Sequence, residues 1–123
     1  MSISKEEFRR ALSRFASGVT VVTTKDADGK LYGITVSAFC SVSLEPPLVL
    51  VCIERTTASH HALAASKHFV VNILRENQQN LSNHFASPSD DKFTGVEFRA
   101  GIEEIPVLTG ALANLECRLR NSY

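Results

Sequence analysis

Apolar positions near the start of the chain recur at helical spacing. Phe8, Ala11, Leu12 and Phe15 fall on one stripe, and Ser4-Lys5-Glu6-Glu7 before them has the form of a capping box. This predicts an amphipathic helix to about Ser17, with Gly18 as its C-terminal stop. The period then becomes that of strands. VTVVTT (19–24), the turn signal Asp26-Ala27-Asp28-Gly29 and LYGITVSAFC (31–40) predict a hairpin. Pro46-Pro47 cannot donate to a ladder and closes this section, after which LVLVCIE (48–54) reads as a central strand rich in branched side chains. Thr56, Thr57 and Ser59 are candidate N-caps for a short helix over 60–66, followed by the strand FVVNILR (69–75). Asn77 is the candidate cap of a second short helix, QQNLSNHFA, with Leu81 and Phe85 on one face, and SPSDDK reads as an exposed loop. Short irregular strands are expected around Phe98 and Ile105. ALANLECRLR (111–120) alternates, which predicts Ala111, Ala113, Leu115, Cys117 and Leu119 towards the core and Asn114, Glu116, Arg118 and Arg120 towards water. Hairpin-connected strands, an N-terminal helix, two short helices and no βαβ rhythm predict a mainly β chain, an antiparallel barrel with helices packed around it.

A length of 123 residues suits a single domain, 1–123, with no repeat or linker. Thirteen basic residues balance thirteen acidic ones and no run of like charge occurs. That argues against nucleic acid and against an anionic membrane surface as partners. The N-terminus MSISKEEFRR lacks an apolar signal core and no apolar run approaches the length of a membrane span, so a cytoplasmic protein is expected. Cys40, Cys52 and Cys117 are odd in number and sit in apolar runs, the pattern of reduced, buried thiols. A net charge near zero resists self-association poorly, which favours an oligomer.

Two stretches invite a ligand. Thr35, Ser37 and Ala38 put small and hydroxylated side chains where a packing strand would carry bulk, leaving room for a ligand and offering it hydroxyls and amides; a solvated strand face would use the same residues. Glu54-Arg55-Thr56-Thr57-Ala58-Ser59 leaves a strand and enters a helix, where free N–H groups, hydroxyls and an arginine favour a phosphate; ordinary capping uses the same residues. His60, His61, His68 and His84 have no ligand spacing, so no metal site is predicted, and no cysteine has an evident base beside it. Neither a Gly-x-Ser-x-Gly, a P-loop nor a Gly-x-Gly-x-x-Gly is present.

The succession FRRALSRFASGVTVVTT, YGITVSAFCSVSLEPPLVLVCIERTTASHHAL and FVVNILRENQQNLSNHFA resembles the flavin reductase family, whose domain is an FMN-binding split barrel. Its most specific pieces are Ala16 to Thr23, the Thr35–Ala38 strand leading into Ser41 to Pro47, and the segment containing Asn72, Leu74, Gln78 and Phe85-Ala86. The resemblance implies an antiparallel split β-barrel and an enzyme that passes a hydride from NAD(P)H to FMN or FAD for a partner flavin-dependent monooxygenase. It implies cofactor contacts along Thr35, Val36, Ser37 and Ala38, at Ser41, and along Cys52, Ile53, Glu54 and Arg55. Thr57 and Ser59 would reach the phosphate end, and the helix carrying Ser82 to Phe85, with Lys92 beyond it, would border the phosphate or the nicotinamide. No acid–base side chain is required, so no catalytic residue is assigned. Relatives are expected to run on past Tyr123 into further barrel strands, and an unpaired last strand would favour a homodimer. A flavin carrier without NAD(P)H activity, or a ligand-free interaction barrel, remain the alternatives.

Overall fold

The computed structural model describes residues 2–13 and 18–123. Its centre is a four-stranded antiparallel sheet in the order β2–β1–β5–β8, made of β1 (Thr20–Lys25), β2 (Leu31–Val36), β5 (His68–Ile73) and β8 (Ala113–Arg118). β1 and β5 take the middle because their Val, Thr and Phe side chains are buried on both faces, the environment in which branched residues pack best. The β1–β2 turn is fixed by Asp26, whose Oδ1 accepts the amides of Asp28 and Lys30, each at 2.9 Å, while Oδ2 accepts the Tyr32 hydroxyl at 3.0 Å. The Lys30 amide is the main cause that holds the Asp26 carboxyl below the usual carboxylate range. Gly29 stands at φ 87°, a left-handed conformation that suits glycine at such a turn.

One sheet face carries Val22, Val36, Phe69 and Val71 and is covered by Leu63 of α2 (Ala58–Ser66) and by Phe39, Val51 and Ile53 of a separate hairpin, β3 (Phe39–Ser43) and β4 (Leu48–Val51). The other face carries Val21 and is covered by Phe85 and Leu81 of α3 (Gln79–Ala86) and by Leu108. Leu108 belongs to a second hairpin, β6 (Phe98–Ala100) and β7 (Pro106–Leu108), whose Val107 packs with Val70 and Ile105. A buried polar knot fastens this hairpin. The Asn72 amide donates to the Val21 carbonyl at 2.9 Å and the Thr23 hydroxyl at 3.3 Å, and its Oδ1 accepts the Leu108 amide at 3.0 Å and the Asn114 side chain at 2.8 Å. Thr23 Oγ in turn donates to the Pro106 carbonyl at 2.6 Å.

The N-terminal helix α1 (Lys5–Ser13) starts as predicted: Ser4 Oγ accepts the Glu7 amide at 3.1 Å and donates to its carboxylate at 2.9 Å. The expected continuation through Phe15 to Ser17 lies outside the described residues. Several expectations are corrected. LYGITVSAFC is two strands, because Ser37 and Ala38 leave the ladder between β2 and β3. LVLVCIE is one arm of a two-stranded hairpin rather than a central strand. A single turn, Glu76–Gln78, precedes α3, with Gln78 accepting the Arg75 amide at 2.6 Å, so Asn77 is not the cap. In β8, Cys117 packs against the core with Leu119 just beyond it, whereas Ala113 and Leu115, expected towards the core, are exposed at the sheet edge. The opposite face of β8 is used as well as wet: Glu116 accepts the Ile102 amide at 2.6 Å, and Asn114 joins the knot. Cys40 and Cys52 are exposed, not buried, because they occupy the outward face of the β3–β4 hairpin. The architecture is mainly β, antiparallel, with helices on both sheet faces; among the described residues the ladders form three separate sheets and do not close into a barrel. No helix among them is long and apolar enough to cross a membrane.

Candidate functional site

The site grows from the seam where the β3–β4 hairpin joins the sheet. The chain leaves β2 at Val36, passes through Ser37 and Ala38 into β3, and returns from β4 through Cys52, Ile53 and Glu54 to α2. The Cys52 amide donates to the Ala38 carbonyl at 3.0 Å, which sets the two connecting segments side by side. Among the described residues, the amides of Ser37, Ala38, Ile53 and Glu54 have no partner. Alternation along the hairpin sends Phe39, Val51 and Ile53 inward and leaves Cys40, Val42, Leu50 and Cys52 exposed. The outer surface of the seam is thus an open ledge of small, weakly polar side chains and free amides.

At one end of the ledge α2 begins. Thr57 is its N-cap, with φ −84° and ψ 148°; its Oγ accepts the His60 amide at 3.2 Å and donates to the Glu54 carbonyl at 2.8 Å. Capping therefore explains Thr57 fully. Ser59 is different. It is 8% exposed, yet its hydroxyl has no hydrogen-bond partner among the described residues.

Ser59 opens into a pocket against the outer edge of β2, lined also by Lys30, Tyr32, Gly33, Ser89 and Lys92. Gly33 is needed there for packing: a Cβ would stand 2.6 Å from two ring carbons of Phe85 and 3.2 Å from Phe93. Phe85 is fully buried and meets Phe93 edge-on at 5.2 Å between centroids. Lys92 Nζ donates to the Gly33 carbonyl at 3.0 Å and the Phe85 carbonyl at 2.9 Å, and burial pushes its pKa down. The Lys92 carbonyl accepts Nε2 of His84 at 2.6 Å, which fixes the protonated nitrogen of that imidazole. Loop 87–92 is thereby tied to α3 at both ends of one residue.

Of the residues singled out in the sequence, Ser37, Ala38, Ser41, Cys52, Glu54 and Arg55 are exposed, with Ser37, Ala38 and Cys52 at the ledge. Ser59 and Lys92 meet at the pocket. Thr35 spends its hydroxyl on the Ser82 carbonyl at 2.6 Å, tying β2 to α3. Val36, Ile53 and Phe85 turn their side chains into the core and offer a ligand only their backbones. Sequence reasoning passed over Lys30, Tyr32 and Ser89, which belong to the same pocket. The available signal was the wide turn after α3, which returns to the strand edge. Among the described residues no group of three or more His, Cys, Asp or Glu is placed to hold a metal ion. The donor set suits a flat heterocycle with an anionic tail: free amides and small side chains along the ledge, and hydroxyl and ammonium donors beyond it.

The flavin reductase like domain matches residues 12–123. Among curated relatives, the reductase component of the 4-nitrophenol 4-monooxygenase/4-nitrocatechol 2-monooxygenase of Rhodococcus opacus is 44% identical over 117 residues, covering 95% of this chain and 62% of that protein. The flavin-dependent monooxygenase reductase subunit HsaB of Rhodococcus jostii is 41% identical over 122 residues, covering 99% and 62%. The chain spans less than two thirds of the length of these relatives, and 36% of a protein of Rhizobium meliloti named "Probable flavin reductase". Among solved structures, the NADH:FAD oxidoreductase SgcE6 of Streptomyces globisporus superposes with a TM-score of 0.88 at 36% identity, covering 100% of this chain and 76% of that one. BorF, the flavin reductase component of a bacterial two-component tryptophan halogenase, gives 0.87 at 35%, covering 98% and 77%. Matched to the family over residues 12–123, nearly its whole length, the chain belongs to the flavin reductase like domain family.

Proposed function

We propose that the chain is the flavin-reducing component of a two-component flavin-dependent monooxygenase: it binds FMN or FAD together with NAD(P)H and releases reduced flavin to the oxygenase. The observation that carries this reading is the family match over residues 12–123 combined with the open ledge of free amides at Ser37, Ala38, Ile53 and Glu54. The names of the relatives, reductase components of monooxygenases and of a halogenase, support it. So does SgcE6, which has been solved with NAD and FAD fragments.

When bound, the flavin supplies a hydride acceptor and the nicotinamide supplies the hydride. This chain's own residues bind and orient. The backbone of Thr35 to Ala38, with Ser41, and that of Cys52 to Arg55 form the wall for the ring; the small side chains of Ala38 and Cys52 let it approach the main chain. The unpaired Ser37 and Ala38 amides would offer hydrogen-bond donors to a ring on the ledge, and donors at a site of growing negative charge would favour the reduced state. Ser59 in the first turn of α2, with Lys92, takes the phosphate end, Thr57 holding that turn in place as its cap, and Phe85 holds Gly33 and the β2 edge in place from behind. No side chain on the ledge needs to move a proton. The finer fold reading is a split barrel with the β3–β4 hairpin as a flap, assembled as a homodimer in the cytoplasm. The β8 edge, with Leu112 and Leu115 exposed, suits contact between two copies.

The test is spectroscopic and kinetic. Catalytic amounts of the chain with excess flavin should oxidise NADH or NADPH, and Ser37→Leu should weaken flavin binding and slow turnover together. A stoichiometric yellow complex that bleaches only with a protein redox partner would make it a carrier instead. Absence of both flavin binding and turnover would overturn the reading.

A further inference from the structure

Two thiols stand on the outward face of the β3–β4 hairpin, and one of them lies on the ledge. Cys40 pairs with Leu50 across the hairpin, and the Cys52 amide donates to the Ala38 carbonyl at 3.0 Å in continuation of the same register. Ala38, Cys40, Leu50 and Cys52 therefore share one face, and all four are exposed. The residue opposite Cys52 is Ala38, whose methyl leaves the sulfur open towards the unpaired amides of Ser37, Ala38, Ile53 and Glu54. Cys40 faces the bulkier Leu50 and lies further towards the hairpin tip. The two cysteines are diagonal neighbours, a relation that sets Cα atoms about 7–8 Å apart. A disulfide needs about 4.4–6.8 Å, so neither thiol closes on the other in this geometry. Cys117, by contrast, is half-buried in β8, and burial pushes its thiol up, which suppresses the reactive thiolate.

We propose that Cys52 is an oxidisable thiol that closes the ledge: hydrogen peroxide modifies it when the ledge is empty, and the modified sulfur keeps a flavin ring from returning. The inference rests on the flavin-binding reading above and adds a modification site to it. The oxidant is hydrogen peroxide, the two-electron product of dioxygen with reduced flavin that has left the protein. The Cys52 thiolate attacks one peroxide oxygen; the S–O bond forms, the O–O bond breaks, and hydroxide leaves and takes a proton to become water. The sulfur loses the two electrons that the peroxide gains. A low-molecular-weight thiol then condenses with the sulfenic acid, forming an S–S bond and releasing water, and excess thiol restores the cysteine by exchange. Bulk added at Cys52 stands where the ring would approach the main chain beside Ala38. Linkage makes the effect reciprocal: a ring seated on the ledge covers Cys52 and shields it, while Cys40 stays open.

The experiment has two arms. In the first, iodoacetamide labelling of each cysteine is followed by mass spectrometry with and without FMN or FAD. At ten times its Kd a flavin leaves about a tenth of the ledges free, so Cys52 labelling should slow about tenfold while Cys40 labelling is unchanged. Equal rates at Cys52 with and without bound flavin overturn the proposal. In the second arm the reduced chain is treated with hydrogen peroxide, Cys52 oxidation is read by a sulfenic-acid trap, and flavin affinity is measured by fluorescence titration before and after. Affinity should fall about 10–100-fold, the range of a side chain too large for its site, and return with dithiothreitol. Cys40→Ser should lose affinity on oxidation as the parent does, whereas Cys52→Ala should show the same affinity before and after peroxide, whatever that affinity is. Sensitivity that persists in Cys52→Ala assigns the effect to another group and overturns the proposal. Sensitivity lost in Cys40→Ser overturns it too, since Cys52 would then act only through a disulfide. If the reduced parent binds neither FMN nor FAD, the flavin reading falls and this inference with it. A parent that binds flavin and keeps its affinity once Cys52 is oxidised sinks the inference alone. Should Cys52→Ala not fold, Cys52→Ser carries the same comparison.

Discussion

Replacing Asn72 by alanine tests whether the polar knot fastens the β6–β7 hairpin to the sheet. The side chain is fully buried; its amide donates to Val21, Thr23 and, at 3.5 Å, Val70, and its oxygen accepts from Leu108 and Asn114. Truncation leaves the Leu108 amide, itself fully buried, without its acceptor. An orphaned buried donor costs about 1–3 kcal/mol. The emptied carboxamide space adds about 1 kcal/mol at the usual cost per unit of cavity volume. The expected loss is therefore about 2–4 kcal/mol, a large part of the 5–15 kcal/mol by which domains are ordinarily stable. With a urea slope of about 1–3 kcal/mol per molar, the midpoint should fall by about 1–2 M at unchanged slope. Asn114→Ala, which removes one exposed partner of the same oxygen, should cost about 1 kcal/mol or less, and the double variant should cost less than the sum of the two singles. A midpoint for Asn72→Ala within about 0.3 M of the parent would refute the account, since the lost acceptor would then have been replaced freely.

Gly33→Ala drives a methyl into the Phe85 ring and should cost about 1–3 kcal/mol in thermal melts, with Phe85→Leu in the same chain restoring part of the loss; an unaltered melting temperature would contradict the contact. Thr57→Ala removes the α2 cap and should cost about 1 kcal/mol by denaturant titration. Lys92 has a folded-state pKa below 10.5, so the unfolded chain binds more protons between the lowered value and 10.5, and stability should climb as pH rises through that window. Lys92→Met should abolish that climb in pH-dependent urea titrations, and a slope unchanged by the substitution would assign it to another group.

Much of this organisation was legible from local pattern. The Ser4 capping box, the Asp26–Gly29 turn and the Leu81/Phe85 face each depend on neighbours within four residues, and each is present in the structure. Where the outcome depended on tertiary pairing, pattern misled. Ser37-Ala38 carries no breaker residue, yet β2 stops there because its partner β1 begins at Thr20, opposite Val36. LVLVCIE has the composition of a central strand but only one ladder partner, so half of it faces solvent and Cys52 with it. Ser59 read as one more cap, and only the loop 87–92, folding back across the strand edge, turns it into a pocket residue. Lys92 in SPSDDK is placed near the ligand only by the family resemblance, because its two carbonyl partners lie 59 and 7 residues away. Asn72 read as an ordinary position in a strand; its partners on other strands come from β1, β7 and β8.

The inward and outward alternation of the β3–β4 hairpin governs which length changes the molecule can survive. Phe39, Val51 and Ile53 anchor it while Cys40, Leu50 and Cys52 face outward, and the irregular register between Ser41 and Ser43 already absorbs one offset near the tip. Inserting or deleting a single residue between Ala38 and Ser41 would shift the β3 arm by one against β4, exchanging Phe39 and Cys40 between the inward and outward faces. Insertions at the Leu44–Pro47 tip leave that parity intact. Evolution or engineering can therefore lengthen the tip, but the ledge end of the hairpin must keep its residue count.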